Sequence, residues 1–224
     1  MLQKSPILIV AATQLECEPT LRKITGCKNI SRFLYIGTLN EQPVELLISG
    51  IGSVATSFRL TQTLMQRSYS SAISIGIAGS FDENILIGET VQITEDCFAD
   101  LGIDDNREFR TLREAGLVCE DFDCDFICNP LPLCSSHRKV RGVTVQTCSG
   151  SRQRINTLEG RFKPQVETME NAAFFYVCSK MNIPFASFRA ISNKVEPRNR
   201  KGWRIAEAID SVNAVLLKSS LQSH

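Results

Sequence analysis

The chain has 224 residues, 43% of them hydrophobic, and a formal net charge of +1. That is enough for one sizeable core and too little for two ordinary domains. The near-neutral balance, without a long basic run, excludes a nucleic-acid binder that works by neutralising phosphates. No stretch is apolar for long enough to span a membrane. Nine cysteines without an export signal point to free thiols in a reducing cytoplasm.

The first apolar run, Ile7 to Ala12, is short and soon interrupted by Gln14 and Glu16. It reads as a buried strand rather than a signal peptide. It ends in small residues and then polar ones, the pattern of a site edge in an α/β fold. Glu16 is then either a working carboxylate or a helix-start charge on a solvated face. Strands over 33–39 and 44–49 flank Asn40-Glu41-Gln42-Pro43, a hairpin signal. Ser49-Gly50-Ile51-Gly52-Ser53 opens a helix patterned through Ala55, Phe58, Leu60 and Leu64. Such a turn approaches an anion or a sugar closely, or simply joins strand to helix. Ala72 to Phe81 is a further buried strand, in which Gly76, Ala78 and Gly79 leave room for a flat ligand or for close strand packing. Gly88 to Thr94 is also strand-like.

The segment 104–141 is the least regular, polar and cysteine-rich, with one helix predicted near Phe109 to Ala115. Long excursions of this kind serve as lids or interfaces. The spacing of Cys119, Cys124, Cys128 and Cys134, with His137 nearby, fits no zinc pattern, so ordinary thiols and no metal are expected. Val143 to Thr147 returns to strand. Ala172, Ala173, Tyr176, Val177 and Met181 then recur at helical spacing, and Pro184 follows as a stop signal. Phe185 to Ile191 is a short buried strand whose carboxyl end changes abruptly to Ser192, Asn193 and Lys194. Glu167-Thr168-Met169-Glu170 precedes the helix, where a carboxylate either caps the helix dipole or accepts a hydroxyl. A last amphipathic helix turns Ile205, Ala208, Ile209, Val212 and Leu216 inward. These elements make a single α/β domain on a mixed central sheet flanked by helices, with a pocket at the strand ends.

Five motifs in order carry a family resemblance: V-A-A-T-Q-L-E at 10–16, S-G-I-G-S-V-A at 49–55, G-I-A-G-S-F at 76–81, V-E-T-M-E-N-A-A at 166–173 and R-A-I-S-N at 189–193. Together they resemble the nucleoside phosphorylase and nucleosidase superfamily across about the whole chain. Within it the chain is most similar to the futalosine hydrolases of the futalosine route to menaquinone, through A-D-L-G-I-D-D at 99–105, E-T-M-E-N-A-A and S-N-K-V-E-P-R-N-R-K-G-W at 192–203.

The resemblance implies one nucleosidase domain over 1–224, irregular at about 104–141, that needs no cofactor. It implies that Glu16 deprotonates the attacking water, that Glu170 accepts the ribose hydroxyls and that Met169 packs on the sugar. Ala78 and Gly79 line base and ribose, Ser192 and Asn193 recognise the purine, Arg189 orients carboxylates and Trp203 closes the pocket. A neighbouring subunit often completes such sites, so a homodimer or higher homo-oligomer is implied.

Two departures from relatives refine the expectation. Adenine-specific nucleosidases of this superfamily carry aspartate where this chain has Asn193. An ionised aspartate only accepts, whereas asparagine also donates and so suits the 6-oxo group of hypoxanthine. Phosphorylases place phosphate-binding arginines where this chain has Thr13 to Glu16 and Ser74-Ile75, so water is the expected nucleophile. The basic loop Arg198-Asn199-Arg200-Lys201 beside the pocket is expected to meet the carboxylate of futalosine, or is simply solvated. The alternatives are an adenine nucleosidase and a non-catalytic nucleoside-binding relative.

Overall fold

The computed structural model describes residues 5–105, 108–117, 126–129, 136–197 and 199–218. The first half runs β1 (Ile7–Ala11), α1 (Gln14–Leu21), β2 (Thr25–Ser31), β3 (Leu34–Leu39), β4 (Gln42–Ile48), α2 (Ser53–Gln66), β5 (Ser71–Ser80) and β6 (Thr90–Asp96). The second runs β7 (Gly102–Asp105), β8 (Glu108–Thr111), β9 (Ile127–Cys128), β10 (Arg138–Thr144), α3 (Arg152–Phe162), β11 (Val166–Thr168), α4 (Asn171–Lys180), β12 (Phe185–Lys194) and α5 (Ile205–Lys218). A 3-10 turn at Arg200–Gly202 precedes α5.

The main sheet has the order β11-β10-β6-β12-β5-β1-β4-β3-β2. Its centre is β1, β5 and β12, mutually parallel. Every residue of β1, and Phe185 to Ser192 of β12, is buried. Strands covered on both faces read as continuous apolar runs rather than alternating ones, which is why these three stand out in the sequence. On one face α2 packs on α4; elsewhere α1 packs on α5. Helix α4 is buried almost all round, from Asn171 to Phe175 and at Val177 and Cys178. The rings of Phe174, Phe175 and Phe185 meet there at centroid distances of 4.8 to 6.2 Å.

At one end the sheet curls. Strand β11 pairs parallel with β10 and antiparallel with β5, in the registers Val166↔Ser80 and Glu167↔Gly79. This closure brings the 166–170 segment against the end of β5.

Several expectations are corrected. No helix forms over 109–115: Phe109 pairs with Asp104 in the β7–β8 hairpin. Thr111 and Glu114 do exchange the two hydrogen bonds of a capping box, but the turn ends at Gly116, whose φ is +70°. Strand β10 begins at Arg138 and ends at Thr144, so Arg138 to Arg141 belongs to the sheet rather than to an excursion. Strand β12 continues through Lys194, with a bulge between Ile191 and Asn193. The β3–β4 turn is only Asn40-Glu41, with φ of 48° and 63°, the left-handed pair that two-residue hairpins favour. Strand β2 carries no apolar pattern, since every residue in it is exposed. In α5, Ala208, Ile209, Val212 and Leu216 are buried as expected, whereas Ile205 lies at the pocket mouth. Phe58 in α2 is 68% exposed rather than inward.

Candidate active site

The carboxyl ends of β1, β5 and β12 meet the closing strand β11 around a cavity of about 360 Å³. Glu16, Ala78, Gly79 and Met169 line it, as do Glu170, Ser192, Asn193 and Trp203. The remaining expected residue, Arg189, is 3% exposed and lies below the lining. Arg200 is exposed beside the lining residues Asn199 and Trp203. Arg198, Cys119, Cys124 and Cys134 lie outside the described residues.

Glu16 sits in the first turn of a helix and also lines the cavity. It is the third residue of α1 and closes a capping box: Thr13 N–H and Thr13 Oγ1 donate to its Oε2 at 3.1 and 2.9 Å, and its own N–H donates to Thr13 Oγ1 at 3.3 Å. Its other oxygen accepts from Ile77 N–H at 3.2 Å. The helix cap therefore fixes a half-buried carboxylate at the cavity wall. Gly76 is what admits it, because a Cβ there would stand 2.8 Å from Glu16 Oε1 and 3.4 Å from Arg189 Nε. The bareness of Gly76 serves these two side chains; Ala78 and Gly79 are the ones that line the cavity.

The glycine turn before α2 does approach an anion, and the anion is Glu170. Gly50 and Gly52 have φ of +85° and +87°, and Gly52 N–H donates to Glu170 Oε1 at 2.8 Å. Helix N-termini favour such a partner. Ser53 Oγ ties the same turn to Met169 O at 3.3 Å. Burial raises the Glu170 pKa; Gly52 N–H and Arg189 oppose that, and Glu16 adds to it. Glu170 is the cap residue of α4, yet its side chain makes no capping bond.

Arg189 donates to Ser187 Oγ at 3.1 Å, Phe188 O at 2.9 Å and Ser74 Oγ at 3.0 Å. It faces Glu170, Glu16 and Asp96 electrostatically while burial lowers its own pKa. A buried network extends from it. Ser187 Oγ donates to Asn171 Oδ1, and Asn171 Nδ2 donates to Asp96 Oδ2 at 2.8 Å. Thr144 Oγ1 donates to Asp96 Oδ1 at 2.9 Å. Burial pushes Asp96 up to about 7 despite those two bonds. Nothing in the sequence marks Asp96; only the fold brings it to Asn171.

At the opposite wall Ser192 is 2% exposed. Its hydroxyl lies 2.8 Å from Asn193 Oδ1 and 3.2 Å from Ala78 O and donates to one at a time. Asn193 Nδ2 donates to Lys194 O at 2.8 Å, which leaves its second N–H without a partner among the described residues. Lys194 also lines the cavity, with its ammonium donating to Asp82 O and Ile85 O at 2.8 Å each. The cavity further includes Ile51, Cys148, Ser149 and Glu167. Cys148 and Ser149 lie in a turn whose sequence carries no signal beyond its glycine.

The parallel core, the curled sheet and a nucleoside-sized pocket at the strand ends define the class. Residues 6–220 match the model of the Phosphorylase superfamily, and the chain belongs to that family. It is 26% identical over 171 residues to a futalosine hydrolase of Thermus thermophilus, which covers 74% of this chain and 76% of that one. It is 30% identical over 191 residues to a 5'-methylthioadenosine/S-adenosylhomocysteine nucleosidase of Haemophilus ducreyi, covering 80% and 78%. Among solved structures, an S-adenosylhomocysteine nucleosidase of Streptococcus pyogenes, in complex with 5-methylthiotubericidin, superposes with a TM-score of 0.82 over 99% of both chains at 16% identity. That likeness carries the fold alone.

Proposed function

We propose that this protein hydrolyses the N-glycosidic bond of futalosine, releasing hypoxanthine and dehypoxanthine futalosine, in menaquinone synthesis. The observation that carries the reading is one cavity lined by Glu16, Glu170 and Asn193. Breaking the bond builds positive charge on the sugar and negative charge on the leaving base. Glu170 stabilises the first and binds the ribose hydroxyls, with Met169 packed on the sugar. Asn193, backed by Ser192, donates to the base. Glu16 takes a proton from the water that attacks the anomeric carbon. Arg189 orients the carboxylates from below, Ala78 and Gly79 give backbone to base and ribose, and Trp203 closes the mouth.

Water rather than phosphate is the nucleophile. Among the described residues the one cationic side chain in the lining is Lys194, and two carbonyls hold its ammonium. Hypoxanthine release should therefore run at the same rate with and without phosphate; formation of a ribose 1-phosphate product would overturn hydrolysis. In Gly76→Ala the new Cβ displaces the Glu16 carboxylate, and kcat should fall about 10²-fold with Tm little changed; a full-rate variant would contradict the role of Glu16.

The second reading is an adenine nucleosidase, favoured by the Haemophilus ducreyi relative at 30% identity. Asn193→Asp discriminates the two. It should abolish the preference for futalosine over its 6-amino counterpart, because an acceptor-only group faces O6; an unchanged preference would remove Asn193 from base reading. Arg200→Ala should raise KM for futalosine and leave inosine unchanged, and equal effects on both would leave Arg200 a solvated residue.

The enzyme works as a homodimer or higher homo-oligomer in the cytoplasm. Ile51, just before α2, and Val54, Phe58 and Met65 within it are 63 to 80% exposed, and exposed apolar side chains grouped in this way mark interaction surfaces. Ile51 also lines the cavity, so a partner on this surface would border the site. Among the described residues no helix is long and apolar enough to cross a membrane.

A further inference from the structure

Asp96 ends β6, is fully buried and takes no part in the chemistry above. Gly142 of β10 makes its room: a Cβ there would stand 3.0 Å from Asp96 Cγ, and closer still to Oδ2. A carboxylate taken out of water destabilises a fold unless hydrogen bonds offset the loss. Here those bonds have directions, and the directions lead to the site.

An ionised carboxylate only accepts. Asn171 therefore turns its Nδ2 to Asp96, which leaves Oδ1 for the Ser187 hydroxyl. With its hydrogen used there, Ser187 Oγ can accept from Arg189 at 3.1 Å. A second chain starts at the other oxygen. Thr144 gives its hydrogen to Asp96, so the hydrogen in the 3.0 Å contact between Thr144 and Thr168 comes from Thr168. Thr144 Oγ1 also accepts from Ala172 N–H at 2.8 Å, and Thr168 Oγ1 accepts from Asn171 N–H at 3.4 Å. Asp96 is thus the last acceptor of two chains. One begins at Arg189, which faces Glu170 and Glu16. The other begins at the first N–H groups of α4, directly after Glu170.

We infer that Asp96 is a positioning residue for the glycosidic hydrolysis: by accepting at the buried end of both chains it holds Arg189 and the start of α4 in the geometry that Glu16 and Glu170 need. The inference rests on the nucleosidase reading and deepens it. If the Ser187 hydrogen pointed at Arg189 instead, a buried guanidinium N–H would lose its acceptor. Such a group is costly to leave unpaired, and the guanidinium would shift with respect to the two carboxylates.

The test compares variants at about pH 8, above the value of about 7 to which burial pushes Asp96, so that the carboxylate is chiefly ionised. It uses whichever of futalosine and its 6-amino counterpart the native protein cleaves faster, and refers kcat to the folded fraction from a thermal melt. Asp96→Asn sets an amide donor against Asn171 Nδ2 and should lower kcat about 10²-fold with KM little changed. Combining Asp96→Asn with Asn171→Asp restores every direction: position 96 donates, and the carboxylate at 171 accepts from it and from Ser187. This exchange should regain most of the lost kcat. Ser187→Ala cuts the chain to Arg189, and together with Asp96→Asn it should cost less than the sum of the two separate losses. Native kcat in Asp96→Asn, an exchange variant as slow as the single one, or losses that simply add would each overturn the inference and leave Asp96 a part of the core. A native protein that releases base from neither nucleoside would instead bring down the nucleosidase reading, and this inference with it.

Discussion

Glu16→Gln is expected to lower kcat by about 10³-fold while leaving the thermal midpoint almost unchanged. The two effects separate because Glu16 has two jobs. As the third residue of α1 it closes the capping box with Thr13, and glutamine serves in that position as well as glutamate. Its single carbonyl oxygen keeps the bonds from Thr13 that Oε2 accepts and gives up the one from Ile77 N–H. What glutamine cannot do is take a proton from water. Single-turnover release of hypoxanthine, set beside a thermal melt, reads both quantities. A variant that melts well below the native protein would show that the carboxylate is chiefly a cap. A variant that turns over at the native rate would remove it from the chemistry.

Glu170→Gln is the second large effect, a loss of about 10² to 10³-fold in kcat/KM. The amide oxygen can keep the bond from Gly52 N–H, so the glycine turn and the start of α4 should stand. The lost term is the negative charge beside the sugar and one acceptor for a ribose hydroxyl. A 2′-deoxy substrate removes the hydroxyl from the other side. The two changes together should therefore cost less than the sum of their separate effects, as partners in one interaction do. Strict additivity would place the ribose elsewhere. Burial raises the Glu170 pKa and the working form is ionised. The acid limb of the kcat/KM profile should thus fall at a higher pH than an ordinary glutamate would set, and Glu170→Gln should flatten it.

Much of the fold was legible in the sequence because the central strands are buried on both faces. Ile7 to Ala11, Ala72 to Ser80 and Phe185 to Ile191 read as buried strands and are strands, and the pocket lies at their carboxyl ends; the extension of β12 through Lys194 was not legible. What was not legible depends on tertiary pairing. Strand β2 is exposed throughout and exists because β3 offers it an edge. The 109–115 stretch carries a capping box, yet Phe109 is drawn into a hairpin with Asp104. Residues expected in the site were brought together, but their surroundings could not be read from the chain. Arg189 lies beneath the pocket rather than in it. Gly52 binds the protein's own Glu170, and Gly76 makes room for Glu16. Glu167 was legible only as a carboxylate ahead of a helix; its place at the cavity depends on the register of a three-residue strand against β5 and β10.

Base release from a panel of futalosine, aminofutalosine, inosine and methylthioadenosine in phosphate-free buffer tests the central claim most directly. Hypoxanthine from futalosine, with little adenine from the 6-amino nucleosides, is the result that Glu16, Glu170 and Asn193 in their proposed roles require. Adenine from methylthioadenosine at a comparable or higher rate would contradict it and make the protein an adenine nucleosidase.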